Sequence, residues 1–187
     1  FTQRVAGKLH LYFSPGARQA CEQMMALKRP QGVVQEFLEP AQALAIEPAL
    51  AQVRGITGVV YSPQEEVGDP HRFANGLLEV LQREYGTAAS FGFDLVQARR
   101  EAGQWRLVAR DGRSVRARTL VVCAGIDSAA ILRQLGVRVP WRAIKGYSFT
   151  APCGPSAPSA SITDTSRKLV FCRLGERMRV AGLADIN

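Results

Sequence analysis

Three side chains stand where they could meet a small ligand. Arg173 closes the apolar run Leu169-Val170-Phe171-Cys172, so a partly buried guanidinium is expected there. A planar guanidinium matches a carboxylate with two parallel hydrogen bonds. The alternative is an arginine exposed at a hairpin end. Tyr147 follows Lys145-Gly146, and its phenol can bond a carboxylate or close a pocket. The alternative is a tyrosine packed at a sheet edge. Tyr61 ends a strand, where it either lines a pocket or packs in the core.

Backbone supplies the next candidate. The run Thr119-Leu120-Val121-Val122-Cys123 is continuously apolar, and Ala124-Gly125 ends it. Such a run suits a strand buried on both faces. A small residue and a glycine at its end let a ligand approach the main chain. Many strands end this way, so the pattern alone is weak. Cys123 reads as buried packing. His71 in a first helical turn and Asp164-Thr165 in a turn carry no expected chemistry.

Composition narrows the classes. The chain has 187 residues, 47% hydrophobic and 21% charged, and this is globular rather than disordered. Its net charge of +8 is spread along the sequence, densest at Arg99-Arg100 and from Arg110 to Arg118. A solvated basic face is the expectation, with no nucleic-acid motif beside it. Four cysteines without CxxC spacing, and two histidines, predict no metal site. The thiols are read as reduced and the compartment as cytoplasmic. No run is long and apolar enough to span a bilayer. The chain opens on Phe1 rather than Met and stops after a strand-like run, so an excised piece of a longer protein is expected.

Positioning these residues requires a specific order of elements. Residues 9–13 read as a strand. A helix over 15–28 follows, with Cys21, Met24, Met25 and Leu27 inward, then a helical stretch over 39–50. Residues 55–61 read as a strand and 62–68 as a loop. Asp69-Pro70 opens the clearest helix, with Phe73, Leu77, Leu78 and Leu81 at helical spacing and Gly86 at its end. A strand over 89–98 precedes a hairpin, 104–109 and 114–117, turning at Asp111-Gly112. The run 119–123, a helix over 128–135 and a strand over 142–151 come next. A hairpin of 168–172 and 178–183 closes the chain. Interleaved helices and hairpins give α+β: a mixed, largely antiparallel sheet flanked by helices, plus a partial α/β segment.

This order resembles the middle of a flavoprotein family that includes D-amino-acid oxidases, glycine and sarcosine oxidases and bacterial D-amino-acid dehydrogenases. Val121-Val122-Cys123-Ala124-Gly125-Ile126-Asp127-Ser128 is similar to its "VVxAxGxxS" segment. Ala143-Ile144-Lys145-Gly146-Tyr147-Ser148 is similar to "PLKGYS" of the bacterial dehydrogenase small subunit. Ala181-Gly182-Leu183-Ala184-Asp185-Ile186 stands where the family has "GGxAEI". The resemblance is good over 55–187 and looser over 1–54.

The resemblance implies a substrate-domain portion at 1–62, the middle of the FAD-binding domain at 63–139, and substrate-domain strands with the closing hairpin at 140–187. It implies FAD as cofactor of the parent enzyme, contacted by Ala124, Gly125, Lys145, Gly146 and Gly182. Lys145 there would favour the reduced anionic flavin; a solvent-facing lysine is the alternative. Arg173, Tyr147 and Tyr61 would bind the substrate, an amino acid or amine, since several relatives carry an arginine where Arg173 stands. No catalytic side-chain base is implied. The family's N-terminal G-x-G-x-x-G is absent, so this piece is expected to hold no flavin and to be inactive alone. The implied reaction converts D-amino acids to 2-oxo acids and ammonia. A glycine- or sarcosine-type amine oxidase and a basic binding module are the alternatives. The resemblance extends to a respiratory electron acceptor and to a place at the inner face of the bacterial inner membrane.

Overall fold

A computed structural model describes residues 3–186. The elements are β1 (Gln3–Val5), β2 (Lys8–Tyr12), α1 (Ala17–Lys28), β3 (Glu36–Leu38), α2 (Pro40–Ile46), β4 (Gly58–Ser62), β5 (Glu66–Gly68) and α3 (Pro70–Tyr85). After them come β6 (Leu95–Glu101), β7 (Gln104–Ala109), β8 (Ser114–Ala117), α4 (Ser128–Gln134), β9 (Ile144–Pro152), β10 (Ser161–Asp164), β11 (Leu169–Leu174) and β12 (Arg177–Ile186). The fold is mixed α/β and rich in antiparallel pairs. Among the described residues two compact units form, one of residues 3–80 and 146–184, the other of 81–145 and 185–186. β5 pairs with β1 and so ties residues 66–68 to the first unit.

The first unit is built on a seven-stranded sheet in the order β3-β4-β2-β10-β11-β12-β9. Register lines Leu9, Ile162, Phe171 and Val180 into one cross-strand row, with Tyr61 opposite Leu9 on β4. Leu11, Val59 and Leu38 form the next row on the same face. Ala43 of α2 and Leu50 cover that face and complete the core. The other face lies under α1. There Arg18 stacks over Phe37 at 4.7 Å, and Phe37 in turn occupies the space a side chain at Gly58 would need.

Several expectations are corrected. The stretch 39–50 is not one helix: Pro48 lacks an N–H and pushes Glu47 to φ −132°, so α2 stops and a short 3-10 turn, Pro48–Gln52, follows. Only Cys21 of the expected α1 face is buried; Met24 and Leu27 are 51% and 67% exposed. The loop 62–68 contains β5. The strand expected over 89–98 begins only at Leu95, because Gly86 and Gly92 take left-handed φ of +64° in the loop before it. Asp69 does cap α3, accepting from the backbone N–H groups of His71 and Arg72.

The largest correction concerns 119–123. It forms no strand; Val121 is 77% exposed and Cys123 lies on the surface. A strand needs a neighbour to pair with, and none of the described strands lies beside this run. The second unit instead centres on the meander β6-β7-β8. Ala102 and Gly103 take φ of +47° and +81° and make a two-residue turn that the sequence reading did not identify. At Asp111-Gly112 the hairpin does turn, but through a longer loop closed by Ala109 N–H to Arg113 O at 2.8 Å. Half of the chain's 24 Lys and Arg residues fall within 81–145. Arg99, Arg106 and Arg116 stand side by side across the meander and converge on Glu101.

One buried carboxylate holds the first unit's chain crossing. Glu47 is 2% exposed and accepts from the backbone N–H groups of Ser159 (2.7 Å), Ala160 (2.9 Å) and Ala49 (3.2 Å). Hydrogen bonds to a charged group are the stronger ones, and orphaned buried donors are costly. Replacing Glu47 by Ala is expected to lower unfolding free energy by on the order of 3 kcal/mol, with Gln milder. Urea denaturation checks this.

Candidate functional site

The site grows from the strand order. β12 sits between β11 and β9, and the turn joining β10 to β11 lies beside them. Residues 146–148 of β9, Arg167 and Lys168 of that turn, and Arg179 with residues 181–184 of β12 line an open cleft of about 700 Å³. A smaller cleft of about 300 Å³, lined by Tyr147, Phe149, Leu169 and Val180 among others, shares its wall.

Close packing and backbone strain shape this place. A side chain at Gly182 would meet the Lys168 carbonyl oxygen and Leu169 Cδ2, each at 2.6 Å, so only glycine fits. Lys168 and Leu183 both hold left-handed φ, +58° and +57°. Non-glycine residues in that region cost energy and cluster at functional sites. The third such residue, Ala102, belongs to the meander turn. Leu183 is 68% exposed, so strain here is not offset by its burial.

The turn is fixed by Asp164. Its carboxylate accepts from Ser166 N–H and Oγ (3.0 and 2.7 Å) and from Arg167 N–H and guanidinium (2.9 and 2.7 Å). Burial works to raise the carboxyl pKa, but the Ser166 hydroxyl, the Arg167 N–H and the guanidinium outweigh it and hold it at about 2. Thr165 Oγ1 donates to Leu11 O at 2.6 Å and anchors the turn to β2. Arg179 donates to Ser148 Oγ at 2.8 Å, fixing β12 to β9.

Of the residues proposed from sequence, Gly146, Tyr147 and Gly182 come together at this cleft. Arg173 does not join them. Its Nε donates to Gly175 O at 3.0 Å, its Nη2 lies 3.6 Å from Glu176, and it lines a separate cleft with Gln3, Arg4 and Val67. Tyr61 packs against the core, its ring in contact range of Gly7. Lys145, Ala124 and Gly125 belong to the second unit. Ala124 N–H donates to the buried Ser128 Oγ at 2.9 Å, and Gly125 takes φ +56° to start a 3-10 turn. Sequence reasoning missed Lys168 and Arg179. Arg179 is the outward, polar member of the alternation Met178-Arg179-Val180 and gives no signal of its own, and Lys168 has none before its φ is known.

The comparisons with known proteins agree with this fold. Residues 1–186 match the FAD dependent oxidoreductase family, and the chain belongs to it. It is 36% identical to a D-amino acid dehydrogenase of Paramagnetospirillum magneticum, over 100% of this chain and 44% of that protein. A D-amino acid dehydrogenase of Rhizobium johnstonii is 32% identical over 100% of this chain and 45% of its own length. The chain thus spans less than half of the curated relatives it matches. Among solved structures, glycine oxidase from Geobacillus kaustophilus superposes with a TM-score of 0.85 at 14% identity, covering 99% of this chain and 49% of that one. L-Proline dehydrogenase from P. horikoshii gives 0.79 at 15% identity, covering 98% and 50%. These likenesses show the fold.

The family depends on FAD, and the described residues can be tested against it. A dinucleotide pyrophosphate wants a glycine-rich turn leading into a helix. Here α2, α3 and α4 open on the acidic residues Glu39, Asp69 and Asp127, which repel phosphate, and α1 opens on a single Gly16. The described residues do not fit the pyrophosphate, and no chemical step is derived through the flavin. No described helix is long and apolar enough to cross a membrane.

Asp164 yields a pH prediction. Its folded carboxyl titrates below its unfolded value, so its stabilising contribution is complete above the unfolded value and lost as pH falls through about 2. Asp164→Asn is expected to be less stable than the parent at neutral pH, with the gap closing as pH falls from about 5 to about 2. Chemical denaturation at stepped pH reads the difference; a gap independent of pH contradicts the assignment.

Proposed function

We infer that this chain is the substrate-binding part of an enzyme that oxidatively deaminates D-amino acids to 2-oxo acids and ammonia. The observation that carries this reading is identity of 31–36% over the whole chain to proteins named D-amino acid dehydrogenase. Likeness to glycine oxidase at 14% identity speaks for the shared fold and does not select glycine as substrate.

In the full-length protein loaded with FAD, the redox chemistry is the cofactor's, and this chain's part is to bind and orient the amino acid. The cleft at β9 and β12 is the proposed place. Tyr147, Gly146 and Gly182 are there, and Arg179 offers a guanidinium for the α-carboxylate. Arg173 and Tyr61, the other candidates, have packing and turn partners that account for them. Ala124, Gly125 and Lys145 of the second unit, and Gly146 and Gly182 of the first, remain the proposed flavin contacts. A respiratory acceptor at the inner membrane face is part of the same proposal and rests on the resemblance alone.

The test uses the full-length flavoprotein under anaerobic conditions. D-Alanine is expected to bleach the flavin absorbance, L-alanine to leave it unchanged, and an artificial acceptor to restore turnover. Bleaching by glycine or sarcosine alone, or by no D-amino acid, overturns the reading.

A further inference from the structure

Three cations line the candidate cleft: Arg167, Lys168 and Arg179. None of the described residues lining it carries a carboxylate. Arg167 is partly neutralised by Asp164 at 2.7 Å, outside the lining. Arg179 meets a hydroxyl, Ser148 Oγ, and enters no salt bridge among the described residues. Lys168 likewise has no salt bridge among them, and a strained backbone carries it at φ +58°.

An amino-acid zwitterion brings one carboxylate, and one guanidinium suffices to take it. Arg167 already has the Asp164 carboxylate, so with Arg179 on the α-carboxylate Lys168 is the cation of the cleft left without an anion. All three cations are exposed, so solvent screens their mutual repulsion. A second carboxylate on the ligand gives Lys168 its partner. The space agrees: about 700 Å³ is ample for a ligand longer than alanine.

We propose that the cleft selects amino acids with an acidic side chain, of the aspartate and glutamate class, and that Lys168 is the specificity-determining residue for the distal carboxylate. This rests on the placement of the substrate in the cleft argued above. The adjoining recess of Phe149, Leu169 and Val180 favours an apolar side chain instead. It is the smaller of the two, and filling it would leave Lys168 without an anion from the ligand.

Binding and turnover separate the two readings. On the full-length flavoprotein, equilibrium affinity for D-glutamate and its neutral isostere D-glutamine is measured by calorimetry, and kcat/KM is measured in parallel. D-Glutamate is expected to bind about tenfold tighter or better, since one charge-assisted contact distinguishes the pair. Lys168→Gln is expected to erase that preference while leaving D-glutamine affinity within about threefold, and Lys168→Arg to restore it. Equal affinities in the parent, tighter binding of D-glutamine or D-methionine, or a Lys168→Gln variant that keeps the preference overturns the proposal. Preference in binding without flavin bleaching by any D-amino acid would uphold the cleft's selectivity and overturn the function above. Bleaching by D-alanine with no acidic preference would do the reverse.

Discussion

Four residues, Ser161–Asp164, join the first and last parts of the chain. β10 pairs parallel with β2 on one side and antiparallel with β11 on the other. Every strand that builds the cleft, β11, β12 and β9, attaches to the early strands through it. A four-residue strand has few ladder bonds, so its ends are pinned by side chains. Glu47 grips the backbone just before it, and Asp164 with Thr165 locks the turn just after it. Parallel pairing across some 150 residues carries a loop-closure entropy that only a buried row such as Leu9-Ile162-Phe171 can offset.

The cleft inherits its character from that turn. Asp164 fixes the Arg167 main chain and side chain, and Lys168 follows in a left-handed conformation. The close approach of Gly182 to the Lys168 carbonyl then brings β12 against the turn. Charge and strain therefore collect at one place for a structural reason, and the chain's fixed geometry holds the cations together against their repulsion. The meander of the second unit shows the ordinary alternative, in which three arginines share the carboxylate of Glu101.

Local patterns in the sequence were legible where a single element decides them. Asp69-Pro70 opened α3, the Asp111-Gly112 turn fell in the right place, and the closing hairpin lay within a few residues of its observed bounds. Features decided by distant partners were not. β10 has only four residues and no alternation, so nothing but β2 and β11 makes it a strand. The apolar run 119–123 reads as a buried strand by composition, yet a strand needs a neighbour, and Val121 and Cys123 lie open while Leu120 and Val122 are only half-buried. Gly146 and Gly182, which the resemblance names as flavin contacts, and Tyr147, which it names as a substrate residue, line one cleft, a meeting the sequence does not announce. Lys168 and Arg179 were not legible either, because their meeting depends on register between β11 and β12 and on a backbone angle.

In the proposed function the amino acid sits between β9, β12 and the turn at Lys168. A crystal structure of the full-length flavoprotein with a non-reacting dicarboxylate analogue tests it most directly. Density for the analogue is expected in that cleft, with one carboxylate at Arg179 and the other at Lys168. Density beside Arg173 and Arg4, with the β9–β12 cleft empty, would contradict it.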